Sequence, residues 1–188
     1  TKPTRGDICI LDLGHLPVKN WFLKYDLEVS MADKKELKQA QTVFNSLCKA
    51  LDSDGWHYEK DEEEMMIKCG AQGEDLPIAI RIHVDADKAL VSLYSQLPFA
   101  IAEDRRREMA VAVAQANNGM VDGCFDYDYS DGSIIFRITT SIRESLISEK
   151  ALKYLVYCAC STVDNYNDKF LMAAKSEMTC DEIAKFIV

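Results

Sequence analysis

The sequence predicts an α+β domain in which an antiparallel β-sheet carries helices mainly on one face. Apolar residues recur at helical spacing in two long segments, at about 34–52 and 148–174. Between these segments lie short runs in which apolar and polar residues alternate, as they do in half-buried strands. A third helical segment at about 103–118 separates four such runs from two more. The predicted order of elements is therefore α-β-β-β-β-α-β-β-α.

The first helix has a recognisable start and end. Asp33 followed by Glu36 is a capping-box pattern, with Asp in the place of Ser or Thr. Gly55, at the end of a polar stretch, stops the helix. The four strands that follow are expected at 56–60, 65–69, 77–84 and 88–95.

Two turns predict how neighbouring strands pair. With a two-residue turn at Ala86-Asp87, the expected opposite pairs are Asp85–Lys88, Ile82–Val91 and Ile80–Leu93. Asp131-Gly132 has the composition of a type I′ hairpin turn. It predicts the opposite pairs Tyr129–Ile134, Tyr127–Phe136, Phe125–Ile138 and Asp126–Arg137. Because side chains alternate between the faces of a strand, these registers also assign each side chain to a face of the sheet.

Segments at both ends extend this domain. Residues 1–32 are expected to be an N-terminal extension packed on the core, and residues 33–175 to form the α+β domain. Residues 176–188 are expected to be a C-terminal amphipathic helix, opened by a capping box of Thr179 and Glu182.

Four stretches carry a resemblance to a known family. They are 93–99 (Leu-Tyr-Ser-Gln-Leu-Pro-Phe), 117–119 (Asn-Asn-Gly), 123–125 (Gly-Cys-Phe) and 131–137 (Asp-Gly-Ser-Ile-Ile-Phe-Arg). In this order, and with the long helix that follows, they resemble the YbjN family of putative bacterial sensory transduction regulators over roughly 33–172. The resemblance implies a fold like that of the class I type III secretion chaperones, an antiparallel sheet with helices packed on it. It brings no catalytic residues.

Composition limits the classes of partner. The chain has 31 acidic and 22 basic residues and a net charge of −9, which repels nucleic acid and anionic membranes and permits basic or apolar partners. No apolar run approaches the ~20 residues of a membrane span. The seven cysteines form no short-period disulfide framework, so we expect a cytoplasmic protein in a reducing compartment.

Two motifs resemble catalytic or metal-binding patterns but lack the required partners. Ser46-x-x-Lys49 matches one element of penicillin-recognising enzymes, whose Ser-Asp-Asn and Lys-Thr-Gly elements are absent from the sequence. The run 126–132 resembles a calcium loop, but Asp131 and Arg137 stand where an EF-hand needs Gly and Glu. We therefore predict a helix and a hairpin at these motifs, with no catalytic residue, cofactor or metal.

Other reactive side chains are scattered along the chain. Cys158 and Cys160 lie two apart on a helix and so point to different sides. The histidines, in separate segments, are His15, His57 and His83. A zinc site or a Cys–His pair formed by tertiary contacts is a further alternative. The three arginines at 105–107 are interpreted as a solvated helix face, because successive helical positions do not form one stripe.

The second face of the predicted sheet is the candidate binding surface. This outer face carries Met66, Lys68, Ala79, Arg81, His83, Leu90, Tyr94, Asp126, Asp128, Ile135 and Arg137. The expected partner-binding residues among them are Met66, Leu90, Tyr94 and Ile135. They would form an apolar patch rimmed by charges, as interfaces often do. Alternatively they are ordinary surface residues, or the N-terminal extension covers them.

These observations favour a non-enzymatic regulator or adaptor that binds another protein, or itself as a homodimer. The fold implied by the resemblance offers an alternative, a chaperone-like protein that holds an extended partner segment. A third alternative is a small-ligand binder or enzyme, which requires a pocket with converging polar groups.

Overall fold

The computed structural model describes residues 32–187, which contain four α-helices and six strands. The elements are α1 (Lys34–Ser53), β1 (Tyr58–Asp61), β2 (Met66–Gln72), β3 (Pro77–Asp85), β4 (Leu90–Ala100), α2 (Arg106–Asn117), β5 (Cys124–Asp128), β6 (Ser133–Ser141), α3 (Glu149–Lys175) and α4 (Cys180–Phe186). The predicted order of elements is confirmed. The extension predicted at 1–32, with Cys9 and His15, lies outside the described residues except for Ala32.

The six strands form one sheet in the order β1-β2-β3-β4-β6-β5. Every neighbouring pair is antiparallel, which confirms the predicted fold class. Apolar side chains of one face, the inner face, share a single core with the helices. In β3 the buried residues of this face alternate with half-buried ones, and they are Ile78, Ile80, Ile82 and Val84.

Helix α1 begins where its sequence predicts. The Asp33 carboxylate accepts hydrogen bonds from the backbone N–H groups of Lys35 and Glu36, and the Glu36 carboxylate accepts one from the Asp33 N–H. This reciprocal cap satisfies N–H groups that have no partner within the helix. The apolar stripe of the helix is buried and consists of Ala40, Val43, Phe44, Leu47, Ala50 and Leu51.

The β3–β4 pairing differs from the prediction by two residues. The observed pairs are Ile82–Leu93, Val84–Val91 and Asp85–Leu90, so the predicted pairs are wrong. The connecting loop has four residues, 86–89, rather than two. Asp85 stabilises this longer loop, because its Oδ1 accepts from the Lys88 N–H at 2.9 Å and its Oδ2 lies 3.1 Å from Lys88 Nζ. A shift of two residues leaves every side chain on its predicted face.

The β5–β6 hairpin is confirmed, but its register is also shifted by two residues. The observed pairs are Cys124–Arg137, Phe125–Phe136, Asp126–Ile135, Tyr127–Ile134 and Asp128–Ser133. The loop therefore spans 129–132 and contains the predicted Asp131-Gly132. Asp128 Oδ1 accepts from the Ser130 N–H at 2.9 Å, and Asp131 Oδ1 from the Ser133 N–H at 3.0 Å. These hydrogen bonds from aspartate side chains to backbone N–H groups two residues on (Asx turns) favour the four-residue loop over a two-residue one.

Gly132 docks the tip of this hairpin onto the segment after β4. Its φ is +78°, and a Cβ atom built there would lie 2.2 Å from the Ile101 carbonyl oxygen. The Ile101 N–H donates to the Gly132 carbonyl at 2.9 Å. Both the backbone conformation and the close approach therefore require glycine.

The Asn117 side chain closes one edge of the sheet. Its Oδ1 accepts from the Phe125 N–H at 2.8 Å, and its Nδ2 donates to the Phe125 carbonyl at 2.9 Å. Strand β5 is an edge strand, and such strands otherwise offer unpaired backbone groups to other chains. Asn117 thus satisfies both backbone groups of Phe125.

The expectation of a solvated arginine face at 105–107 is wrong for two of the three residues. Arg105 Nη2 donates to the Met178 carbonyl at 2.9 Å and connects the start of α2 to the segment before α4. Arg106 Nη1 donates to the Ser130 carbonyl at 3.0 Å and holds the hairpin tip. Arg107 is exposed.

Helix α3 packs on the inner face through aromatic contacts. The Phe125 ring centroid lies 5.0 Å from that of Phe170 and 5.5 Å from that of Tyr166. Asn167, on the same helix, is 0% exposed, and neither amide atom of its side chain has a hydrogen-bond partner. Such a residue is unusual, because buried polar groups are normally paired.

Candidate partner-binding face

The strand registers arrange the outer face in rows that cross the sheet. One row consists of Glu59, Lys68, Arg81, Tyr94, Arg137 and Cys124. The adjacent row consists of Asp61, Met66, His83, Ser92 and Thr139. Neighbours within a row have Cβ atoms about 5 Å apart. The first row therefore brings three cationic side chains and a tyrosine together across the middle of the face.

The four residues predicted to bind a partner all lie on the outer face, but they do not form one patch. Ile135 pairs with Gln96 and is therefore a diagonal neighbour of Tyr94. Met66 lies two strands away from Tyr94, and Leu90 lies two rows away. Met66, Leu90 and Tyr94 are half-buried, whereas Ile135 is 5% exposed and lies outside the core shared by the helices.

A half-buried ion pair occupies one end of the charged row. Arg137 Nε lies 2.7 Å from Asp126 Oδ2, and Arg137 Nη2 lies 3.2 Å from Asp126 Oδ1. Hydrogen bonding to Asp126 raises the pKa of the Arg137 guanidinium. The predicted contact between the two residues is confirmed, although they are diagonal rather than opposite neighbours. Asp126 thus compensates the charge of Arg137 within the face.

Lys68 and Arg81 lie directly opposite each other on β2 and β3. Within residues 32–187, neither forms an ion pair with a carboxylate. Lys68 is exposed, whereas Arg81 is half-buried and desolvation lowers its pKa. The sequence pattern places both on the outer face, but it does not single them out. Their adjacency follows from the β2–β3 register, for which the sequence has no distinctive turn signal.

The side chains of the motifs that resemble catalytic or metal sites form local hydrogen bonds within their own helix or loop. The Ser46 hydroxyl donates to the Thr42 carbonyl at 3.0 Å within α1. Asp128 and Asp131 accept hydrogen bonds from their own hairpin loop. Among residues 32–187, no group of three His, Cys, Asp or Glu side chains is placed to hold a metal ion.

The cysteine thiols are governed by burial. Burial raises the pKa of Cys69 and of Cys160 to about 12, and it also raises the pKa of Cys48 and of the half-buried Cys124. A thiol with a raised pKa is protonated at neutral pH and is a poor nucleophile. Cys158, two positions from Cys160, is half-buried.

The residues that line a depression between α1 and α3 include three polar ones that contact one another. Lys153 Nζ lies 2.6 Å from Asp54 Oδ1, and the Tyr157 hydroxyl donates to Asp54 Oδ2 at 3.0 Å. The hydrogen bond from Lys153 lowers the pKa of Asp54. The apolar residues that line the depression are Leu47, Ala50, Leu51, Trp56, Leu152 and Val156. These polar groups bind one another rather than converge on an open space.

None of the helices within residues 32–187 combines the length and apolar character needed to span a bilayer.

The chain is similar to a known family and to a solved structure. The profile of the YbjN family, described as "Putative bacterial sensory transduction regulator", matches residues 44–172. The crystal structure of YbjN, described as a putative transcription regulator from E. coli, has a TM-score of 0.48 and 8% identity to this chain, covering 64% of it and 85% of that chain. No curated protein matches the chain. Since the family match covers well over half of the chain, from α1 into α3, the chain belongs to the YbjN family.

Proposed function

We propose that the protein is a non-enzymatic regulator or adaptor that binds another protein through the outer face of its sheet. The observation that carries this proposal is the middle of that face, where Lys68 and Arg81 lie near the half-buried Met66 and Tyr94. Apolar surface with adjoining charge is typical of protein-binding sites. The description of the family as a regulator agrees with such a role.

The state of the described side chains supports binding rather than catalysis. The buried thiols are protonated at neutral pH, and the Ser46 hydroxyl is bonded into its own helix. A cytoplasmic location is part of the proposal. It is supported by the six described cysteines, all of which are free thiols, as a reducing compartment favours.

Affinity capture with the full chain tests the proposal. Tyr94→Ser alters the outer face, and Tyr154→Ser, which removes a 54% exposed tyrosine from α3, is the matched control. We expect a partner, identified by mass spectrometry, that wild type and Tyr154→Ser retain. Tyr94→Ser should bind the purified partner at least about tenfold more weakly, the effect of losing ~1.4 kcal/mol at an interface. Equal retention by Tyr94→Ser contradicts a role for the outer face.

Two further measurements distinguish between the kinds of partner that could bind the outer face. Light scattering that gives a dimer for wild type and a monomer for Tyr94→Ser identifies a second copy of the chain as the partner. Capture of a single exported client identifies the chaperone-like alternative. Turnover of a substrate by the pure protein contradicts a non-enzymatic role.

A further inference from the structure

Two like charges stand side by side in the outer face, and no carboxylate of residues 32–187 forms an ion pair with either. Lys68 and Arg81 are directly opposite neighbours across β2 and β3. Like charges in that position destabilise a sheet. On the β1 side, the neighbour of Lys68 is Glu59, which is exposed and makes no ion pair with it in the described part of the chain. The direct pairing of the two cations therefore adds repulsion to this part of the sheet.

The same row shows what a compensated cation looks like. Arg137, two strands beyond Arg81, donates to both carboxylate oxygens of Asp126. No comparable carboxylate from residues 32–187 reaches Arg81. Arg81 is half-buried, and a partly desolvated charge interacts more strongly with a ligand than a fully solvated charge does. A carboxylate is the group whose charge and geometry match such a guanidinium.

The surroundings of the two cations indicate which kind of molecule supplies it. Tyr94 lies opposite Arg81 on β4, and Met66 lies two residues from Lys68 on β2. Both side chains are half-buried and lie beside the charges. The chain carries a net charge of −9, which repels a polyanion but admits a segment with one or two acidic residues. A peptide segment with an acidic residue between apolar ones fits both features.

We propose that Lys68 and Arg81 form the receptor for one carboxylate of an acidic peptide segment in the partner, whose flanking apolar residues contact Met66 and Tyr94. This inference rests on the proposed function and adds the chemistry of the partner. The two cations bind one carboxylate between them and thereby relieve their mutual repulsion. Binding is sensitive to salt, because Lys68 is exposed.

A peptide array tests the receptor directly, whatever the identity of the partner. The probes are short synthetic peptides in which a central Glu is flanked by Leu, Phe or Tyr, each beside a counterpart with Gln in place of Glu. The full chain is compared with Lys68→Met/Arg81→Met. The control Lys49→Met/Arg107→Met removes the same charge from exposed positions on α1 and α2. If the double outer-face variant does not fold, Lys68→Gln, at an exposed position, replaces it.

We expect wild type and control to bind the Glu peptides about tenfold or more better than the Gln peptides, and the outer-face variant to lose this preference. The proposed carboxylate site is refuted if wild type shows no preference for Glu over Gln peptides, or if all three proteins show the same preference. The two proposals fail separately. If the captured partner is lost by Tyr94→Ser without any preference for Glu, only the receptor is refuted. If Tyr94→Ser retains the partner, the outer face itself is refuted.

Discussion

Arg137 and Asp126 form a two-bond ion pair across the β5–β6 hairpin although they are not opposite each other in its register. Their side chains are 32% and 30% exposed, so solvent screens the attraction only in part. A double-mutant cycle with Arg137→Gln and Asp126→Asn should give a coupling energy of about 1 kcal/mol in urea unfolding. A coupling below about 0.2 kcal/mol would show that the pair adds nothing to stability.

Replacing Asn167 by Leu should stabilise the protein. The side chain is 0% exposed with both amide atoms unpaired, and Leu has the same number of side-chain heavy atoms without polar groups. Removing the desolvation penalty should raise the free energy of unfolding by about 1 kcal/mol. Asn165→Leu, at an exposed position on α3, is the control and should change stability little. A clear loss of stability in Asn167→Leu would mean that the amide has a bound partner such as water.

Gly132→Ala should be far more damaging than Gly119→Ala. Both glycines have positive φ, +78° and +82°, but a Cβ atom at Gly119 meets nothing within 4 Å, whereas at Gly132 it meets the Ile101 backbone. We expect a cost of about 1 kcal/mol at Gly119, from conformation alone, and about 3 kcal/mol or more at Gly132. Thermal or urea unfolding measures both. Equal costs would contradict the docking of the hairpin tip.

His83 should make the protein less stable in mild acid. Burial lowers the pKa of its imidazole below the ordinary 6.5, so the folded state disfavours the protonated form. Its contribution to stability is complete above pH 6.5 and is lost as the pH falls towards the folded pKa, by at most about 1.4 kcal/mol per pH unit. His83→Gln should therefore lose less stability than wild type between pH 7.5 and 5.5. Identical slopes for His83→Gln and wild type would contradict this role.

Element types and faces could be predicted from the sequence because they depend on local patterns. The apolar stripe of α1 and the alternation in β3 are both visible in single segments. The registers could not be predicted, because strand alternation has a period of two and a shift of two residues satisfies it equally. The loop lengths are favoured by the hydrogen bonds that the Asp85 and Asp128 carboxylates accept from backbone N–H groups within the loops. These hydrogen bonds are visible only in the folded chain.

At the candidate site, too, local patterns could be read from the sequence, whereas contacts between strands could not. Membership of the outer face follows from alternation, so Met66 and Tyr94 lie on the face that the sequence predicts. The adjacency of Lys68 and Arg81 depends on which strands are neighbours, which alternation does not specify. The interpretation of Arg105 and Arg106 is wrong for a similar reason, because the carbonyls that they bind lie 73 and 24 residues away in sequence.

Asn117 has a consequence for how the protein assembles. By occupying the N–H and C=O of Phe125, its amide acts as a one-residue stand-in for a seventh strand. A second molecule that tried to continue the sheet beyond β5 would first have to displace this amide. Growth of the sheet from molecule to molecule, the usual route to fibres, is therefore blocked at this position on the β5 side.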